Sequence, residues 1–161
     1  GNYIVAMGRS KLPVIKDQDG EIFYNSDYCF DYGKADVLRI GDQGTVFVTG
    51  TLTARATKAV DALRDEGIFF KLVVISCPLE IPQDLVLEAA KMGPIFSVED
   101  HSINGGLGST LAEAIACNSI QAKLIRLGVE GYPVSGESDE LFRAFDLDAA
   151  SLKKRFKAAL Q

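Results

Sequence analysis

At 161 residues the chain has the size of one domain, and 47% apolar with 24% charged residues is the balance of a globular protein rather than a disordered or fibrous one. A net charge of −5 disfavours broad nucleic-acid binding, no apolar run approaches the roughly 18 residues of a membrane span, and the first residues show no signal-peptide cleavage signature. Three cysteines without a C-x-x-C pair point to a reducing cytoplasm and away from a zinc site or disulfide scaffold. His101 is the only histidine, which excludes a multi-histidine metal site within the chain.

Residues 2–7, N-Y-I-V-A-M, form a short β-rich run, and Pro13 stops regular pairing soon after it. Residues 16–33 are polar and turn-rich yet carry Tyr24, Tyr28, Phe30 and Tyr32, more aromatics than an exposed disordered linker holds. That composition predicts an ordered arm packed on its neighbours. Strands and helices then alternate: strands over 37–40 and 45–49, and a helix over 53–66 with Leu52, Ala56, Ala59, Val60 and Leu63 on one face and Gly67 as its stop. The Val- and Ile-rich run 69–76 reads as a strand buried on both sides. A helix over 82–92 follows, with Pro82 in its first turn. Then come a strand over 95–99, a helix from 107 to roughly 123, a strand over 125–129 and two closing helices over 139–145 and 149–160. This order predicts a three-layer α/β/α domain around a mostly parallel five-stranded sheet.

The most informative stretch is S-V-E-D-H-S-I-N-G-G-L-G-S, residues 97–109. Glu99, Asp100 and His101 fall at the carboxyl end of a strand, where α/β sheets gather ligands and partners. Gly105, Gly106 and Gly108 lead into a helix N-terminus, whose amides make an anion or docking loop; a tight turn needing glycine's backbone freedom explains them equally well. The spacing is neither G-x-G-x-x-G nor a P-loop, so no nucleotide fingerprint is met. If the strand extends that far, Glu99 and His101 share one side and Asp100 points to the other. Arg9, in M-G-R-S-K-L-P, suits bidentate phosphate recognition or is a plain surface arginine. Lys153, Lys154, Arg155 and Lys157 read as a solvated helix face, with Leu152, Phe156, Ala159 and Leu160 toward the core.

The stretch V-E-D-H-S-I-N-G-G-L-G-S-T-L-A-E-A, residues 98–114, resembles the signature of transketolase C-terminal domains. G-K-A-D-V-L-R-I-G at 33–41 with T-V-F-V-T-G-T from Thr45 resembles the start of that domain, and R-L-G-V with S-G-E-S-D-E-L, within 126–141, its closing segment. The resemblance covers nearly the whole chain in the right order. It implies residues 1–16 as the end of a preceding pyrimidine-binding domain, 17–32 as a linker arm and 33–161 as the C-terminal domain. By the same resemblance, thiamine diphosphate and a divalent metal such as Mg belong to the other domains of a homodimeric enzyme, and neither is held by this chain.

The implied reaction is transfer of a two-carbon ketol unit between sugar phosphates, in the cytoplasm, with no nucleic-acid or membrane partner and no catalytic residue in this chain. Arg9 matches the substrate-phosphate arginine of R-x-x-L-P. Glu99, Asp100, His101, Gly105, Gly106 and Gly108 are implied as a loop that docks the remaining domains or subunit. Relatives sharing the domain are deoxyxylulose-phosphate synthase and the β subunits of 2-oxoacid dehydrogenases. The rival is a self-standing α/β module binding an anionic metabolite at residues 105–109.

Overall fold

The computed structural model describes residues 2, 11–132 and 135–161. The strand expected over 2–7 and the phosphate role expected of Arg9 therefore lie outside the described residues, but for Asn2. Five strands form one sheet: β1 (Ala35–Arg39), β2 (Thr45–Val48), β3 (Lys71–Ile75), β4 (Ile95–Ser102) and β5 (Leu124–Val129). Their spatial order is β1-β3-β2-β4-β5. β3, β2, β4 and β5 run parallel, and β1 lies antiparallel against β3. Helices α1 (Thr53–Arg64), α2 (Gln83–Met92), α3 (Leu107–Cys117), α4 (Ser138–Ala144) and α5 (Ala149–Ala158) complete the domain. No helix among the described residues is long and apolar enough to cross a membrane.

The alternation of side chains along the strands divides the core in two. Val46, Val48, Leu72, Val74, Phe96 and Val98 face α1 and α5, where Ala56, Val60, Leu152 and Phe156 meet them. Phe47, Val73, Ile75 and Ile95 face α2 and α3, meeting Val86, Ala89, Leu107 and Leu111. This is the three-layer arrangement expected of strands whose residues are apolar on both faces. Phe70, Phe96 and Phe156 pack edge-on or tilted, with ring centroids 4.8 to 5.9 Å apart, within the range where aromatic pairs attract beyond simple burial.

Helix ends explain where the structure departs from the sequence reading. α1 ends at Arg64, two residues before the expected 66, and Gly67 turns the chain away as expected, with φ +79 and the Ile68 N–H donating to the Leu63 carbonyl at 3.0 Å. α3 ends at Cys117 rather than near 123, because Ser119 takes the left-handed role itself, with φ 52. Ile120 N–H then donates to Ile115 O and Ser119 N–H to Ala116 O, the paired bonds of a Schellman stop. β4 runs three residues past the expected end at 99. α5 buries Leu152 and Phe156, but Leu160 lies beyond its end and is exposed. Lys153 and Lys157 both pair with Glu66, whose carboxyl they hold down to about 2 by hydrogen bonding.

The arm before β1 is packed in part. Lys16 bridges Ile22, and Phe23 packs against the core. The hydroxyls of Tyr24 and Tyr28 both donate to the buried Asp36 carboxylate, at 3.3 and 2.8 Å. Arg39, also buried, makes a bidentate pair with Asp61 at 2.6 and 2.9 Å and donates to the Lys16 carbonyl. Phe30 and Tyr32, expected to pack, are instead exposed. Burial first, then the hydrogen bond to Asp36, pushes the Tyr28 phenol from 10.0 up to about 12. Burial, followed by the Asp36 charge, raises Tyr24 as well. A phenol raised on folding contributes stability that is fully present below its unfolded value and lost as pH climbs through the folded one. The docked arm should therefore hold up to pH 10 and loosen as pH climbs to about 12 and beyond. Phenolate absorbance should show Tyr28 and Tyr24 ionising above the ordinary phenol value of 10.0, and Asp36→Ala should bring both down. Titration of Tyr24 and Tyr28 at 10.0 would contradict the arm's geometry.

Candidate functional site

The glycine stretch forms the turn between β4 and α3. Gly106 at the helix N-terminus is extended, and no side chain of the helix's own caps it. The capping group comes from the strand: the Glu99 carboxylate, with no exposed surface, accepts the Leu107 N–H at 2.7 Å and the Gly108 N–H at 3.0 Å. A carboxylate at the positive end of a helix is stabilised by the aligned peptide dipoles, and its burial is tolerated because its oxygens are hydrogen-bonded. Glycine is required where the loop closes on this group. A Cβ at Gly106 would stand 2.1 Å from Glu99 Oε2 and 2.0 Å from His101 Cε1; one at Gly108 would stand 2.5 Å from Ser97 Oγ.

The strand's alternation is as the spacing implied. His101 lies on the Glu99 side, its Nε2 3.3 Å from Glu99 Oε2 and its Nδ1 2.9 Å from the Ser102 carbonyl oxygen. Asp100 points to the other face, where the Thr51 hydroxyl donates to it. Nearby, Arg55 pairs with Asp139 at 2.5 Å and lies over the Phe142 ring, tying α1 to α4. Thr51, Arg55 and Asp139 were not singled out from the sequence, because only the fold brings the β2–α1 turn beside β4. Together with Lys11, Leu12 and Asp100 they line an open groove of about 1010 Å³.

Of the six residues expected in the docking loop, His101 and Gly105 are exposed and Asp100 is half-buried. Glu99, Gly106 and Gly108 are buried and shape the loop from within. The anion reading of the loop meets a physical obstacle. Leu107 and Gly108 already donate to Glu99, Gly105 N–H donates to Ser109 Oγ at 2.9 Å, and Ser109 N–H donates to the Gly106 carbonyl. The helix N-terminus is filled by the protein's own carboxylate. Among the described residues no three His, Cys, Asp or Glu side chains gather as a metal cradle.

The three layers, the sheet order and the self-capped glycine loop define an α/β domain with an open groove beside its carboxyl edge. The sequence matches the transketolase C-terminal domain family over residues 33–152, and the chain belongs to that family. It is 33% identical over 160 residues to a transketolase C-terminal section of Methanocaldococcus jannaschii, covering 96% of this chain and 50% of that protein. It is 30% identical over 151 residues to one of the subunits of an apulose-4-phosphate transketolase of Phocaeicola vulgatus, covering 93% and 46% respectively. A 1-deoxy-D-xylulose-5-phosphate synthase of Caldanaerobacter subterraneus is 28% identical over 135 residues, covering 83% of this chain and 22% of that protein. Among solved structures, a split-gene transketolase captured as an inactive tetramer superposes with a TM-score of 0.80 at 30% identity, over 95% of this chain and 47% of that one. The chain thus spans about half the length of the first two relatives.

Glu99→Ala should leave two buried amides without partners, at a cost of about 1–3 kcal/mol each. At about 2–4 °C per kcal/mol for a chain this long, the melting temperature should fall by several degrees. Gly106→Ala should do likewise by forcing the turn off Glu99. A thermal melt unchanged in both variants would show that the carboxylate does not hold the loop.

Proposed function

We propose that this chain is the C-terminal domain of a thiamine-diphosphate-dependent transketolase that moves a two-carbon ketol unit between sugar phosphates in the cytoplasm. The observation that carries the reading is the 33% identity to a transketolase C-terminal section over 96% of this chain, a span that reaches well ahead of the family match at residue 33. In this reading thiamine diphosphate and its divalent metal are bound by the remaining domains or subunit of a homodimer. In this reading no residue of this chain is catalytic. Residues 1–16 belong to the preceding domain, 17–32 to the arm and 33–161 to this one. Arg9, from the R-x-x-L-P pattern, binds the substrate phosphate.

Asp100, His101 and Gly105 present the loop to the neighbouring domain or subunit, and Glu99, Gly106 and Gly108 hold its shape. The filled helix N-terminus weighs against a free-standing anion sensor. The match to a deoxyxylulose-phosphate synthase is weaker and shorter than that to the transketolase section. No nucleic-acid or membrane partner enters this reading.

The complete enzyme should transfer ketol units when supplied with cofactor and magnesium, whereas the 161-residue chain alone should neither turn over nor release heat on titration with thiamine diphosphate. Turnover by the chain alone would overturn the proposal. In the complete enzyme, Arg9→Ala should raise the KM for phosphorylated sugars about 10- to 150-fold, the worth of one charge-assisted hydrogen bond, with kcat largely kept. Equal losses on unphosphorylated sugars would reject that role. His101→Ala should weaken assembly by about 1–3 kcal/mol while the assembled enzyme keeps its turnover. A thousandfold drop in turnover with assembly intact would make His101 catalytic instead.

A further inference from the structure

Large apolar side chains are left bare along one edge of the sheet. Tyr32, which leads into the antiparallel β1, is 73% exposed; Leu79, after β3, is 80% exposed; and Tyr132, after β5, is fully exposed. Strand directions put all three at the carboxyl edge of the parallel strands. The Gly33 N–H donating to Cys77 Sγ at 3.4 Å confirms that the arm's end meets the end of β3. Between them, at the ends of β2 and β4, sit Thr51, Asp100 and the exposed His101. Leu12 borders the same groove and is 53% exposed. With strands about 4.8 Å apart, four spacings from β1 to β5 give a rim roughly 19 Å long. A row of that length can carry the contacts of a protein interface.

We infer that this carboxyl-edge rim, from Tyr32 through Leu79, Asp100 and His101 to Tyr132, is the face on which the preceding half of the transketolase docks. The inference rests on the function proposed above. The occupant follows from two observations. The chain spans about half of its relatives, so a comparable mass of protein accompanies this domain in them. And Leu12 and Pro13 lie along this same edge, beside Thr51, so the polypeptide leading into the domain reaches it here. The rim combines scattered aromatic and aliphatic anchors with a polar centre, and aromatic anchors are what protein interfaces use. The amides that would let it hold a free anion are taken by Glu99.

Hydroxyl-radical footprinting, read by mass spectrometry on the native side chains, tests this. It compares the 161-residue chain alone with the complete enzyme assayed in parallel for ketol transfer. Labelling of Tyr32, Leu79 and Tyr132 should fall by about fivefold or more in the complete enzyme, as for side chains at a water-excluded interface centre. Ile40 and Phe69, beside the opposite edge, should label alike in both. Equal labelling of the rim in an active complete enzyme overturns the inference and leaves the functional proposal standing. A protected rim in an enzyme without ketol transfer supports the surface and sinks the function. Protection that grows with concentration in the isolated chain makes the occupant a second copy, which overturns the assignment to the preceding half.

Discussion

The glycine turn depends on one buried carboxylate. Glu99 ends the buried part of β4, and its two oxygens take the first free amides of α3. Everything at the turn follows from that placement. Gly106 and Gly108 lack side chains because the carboxylate, Ser97 and Arg126 occupy the space a Cβ would need. His101 lies against the same oxygen one alternation further along the strand. The helix dipole attracts the acid inside the domain, and the Leu107 and Gly108 amides that an outside anion would need are already donated to it. A motif that resembles a phosphate cradle in its glycines is here an internal brace.

That brace determines what the domain has to offer. The sheet's two faces are sealed by α1 and α5 on one side and α2 and α3 on the other. Beyond the two sealed faces and the filled turn, the carboxyl edge presents side chains to solvent, with Asp100 and Thr51 paired and Arg55 tied to Asp139 beside an open groove. Among the described residues no three His, Cys, Asp or Glu side chains gather there as a metal site. The chain belongs to the transketolase C-terminal domain family, and the role proposed for this edge is assembly.

Much of this was legible in the sequence. Val- and Ile-rich runs gave the strands because a sheet covered on both faces admits no polar alternation, and Gly67 marked a helix end because its left-handed backbone needs no Cβ. The parity of Glu99, Asp100 and His101 followed from strand geometry alone. What the sequence did not reveal depends on tertiary placement. α3 stops at a left-handed Ser119, where no glycine signals a stop. Glu99 reads as a surface acid until α3 is laid over it. Tyr24 and Tyr28 look like Phe30 and Tyr32 in sequence, and only the first pair has the buried Asp36 to reach.

Whether the loop is braced from within or shaped by a partner is decided by amide hydrogen exchange at Leu107 and Gly108, measured in this chain alone and again in the complete enzyme. Bonds to a buried carboxylate of the same domain predict slow exchange at both amides in both states. Fast exchange in the isolated chain that becomes slow only after assembly would contradict the internal brace and make the loop's order a product of docking.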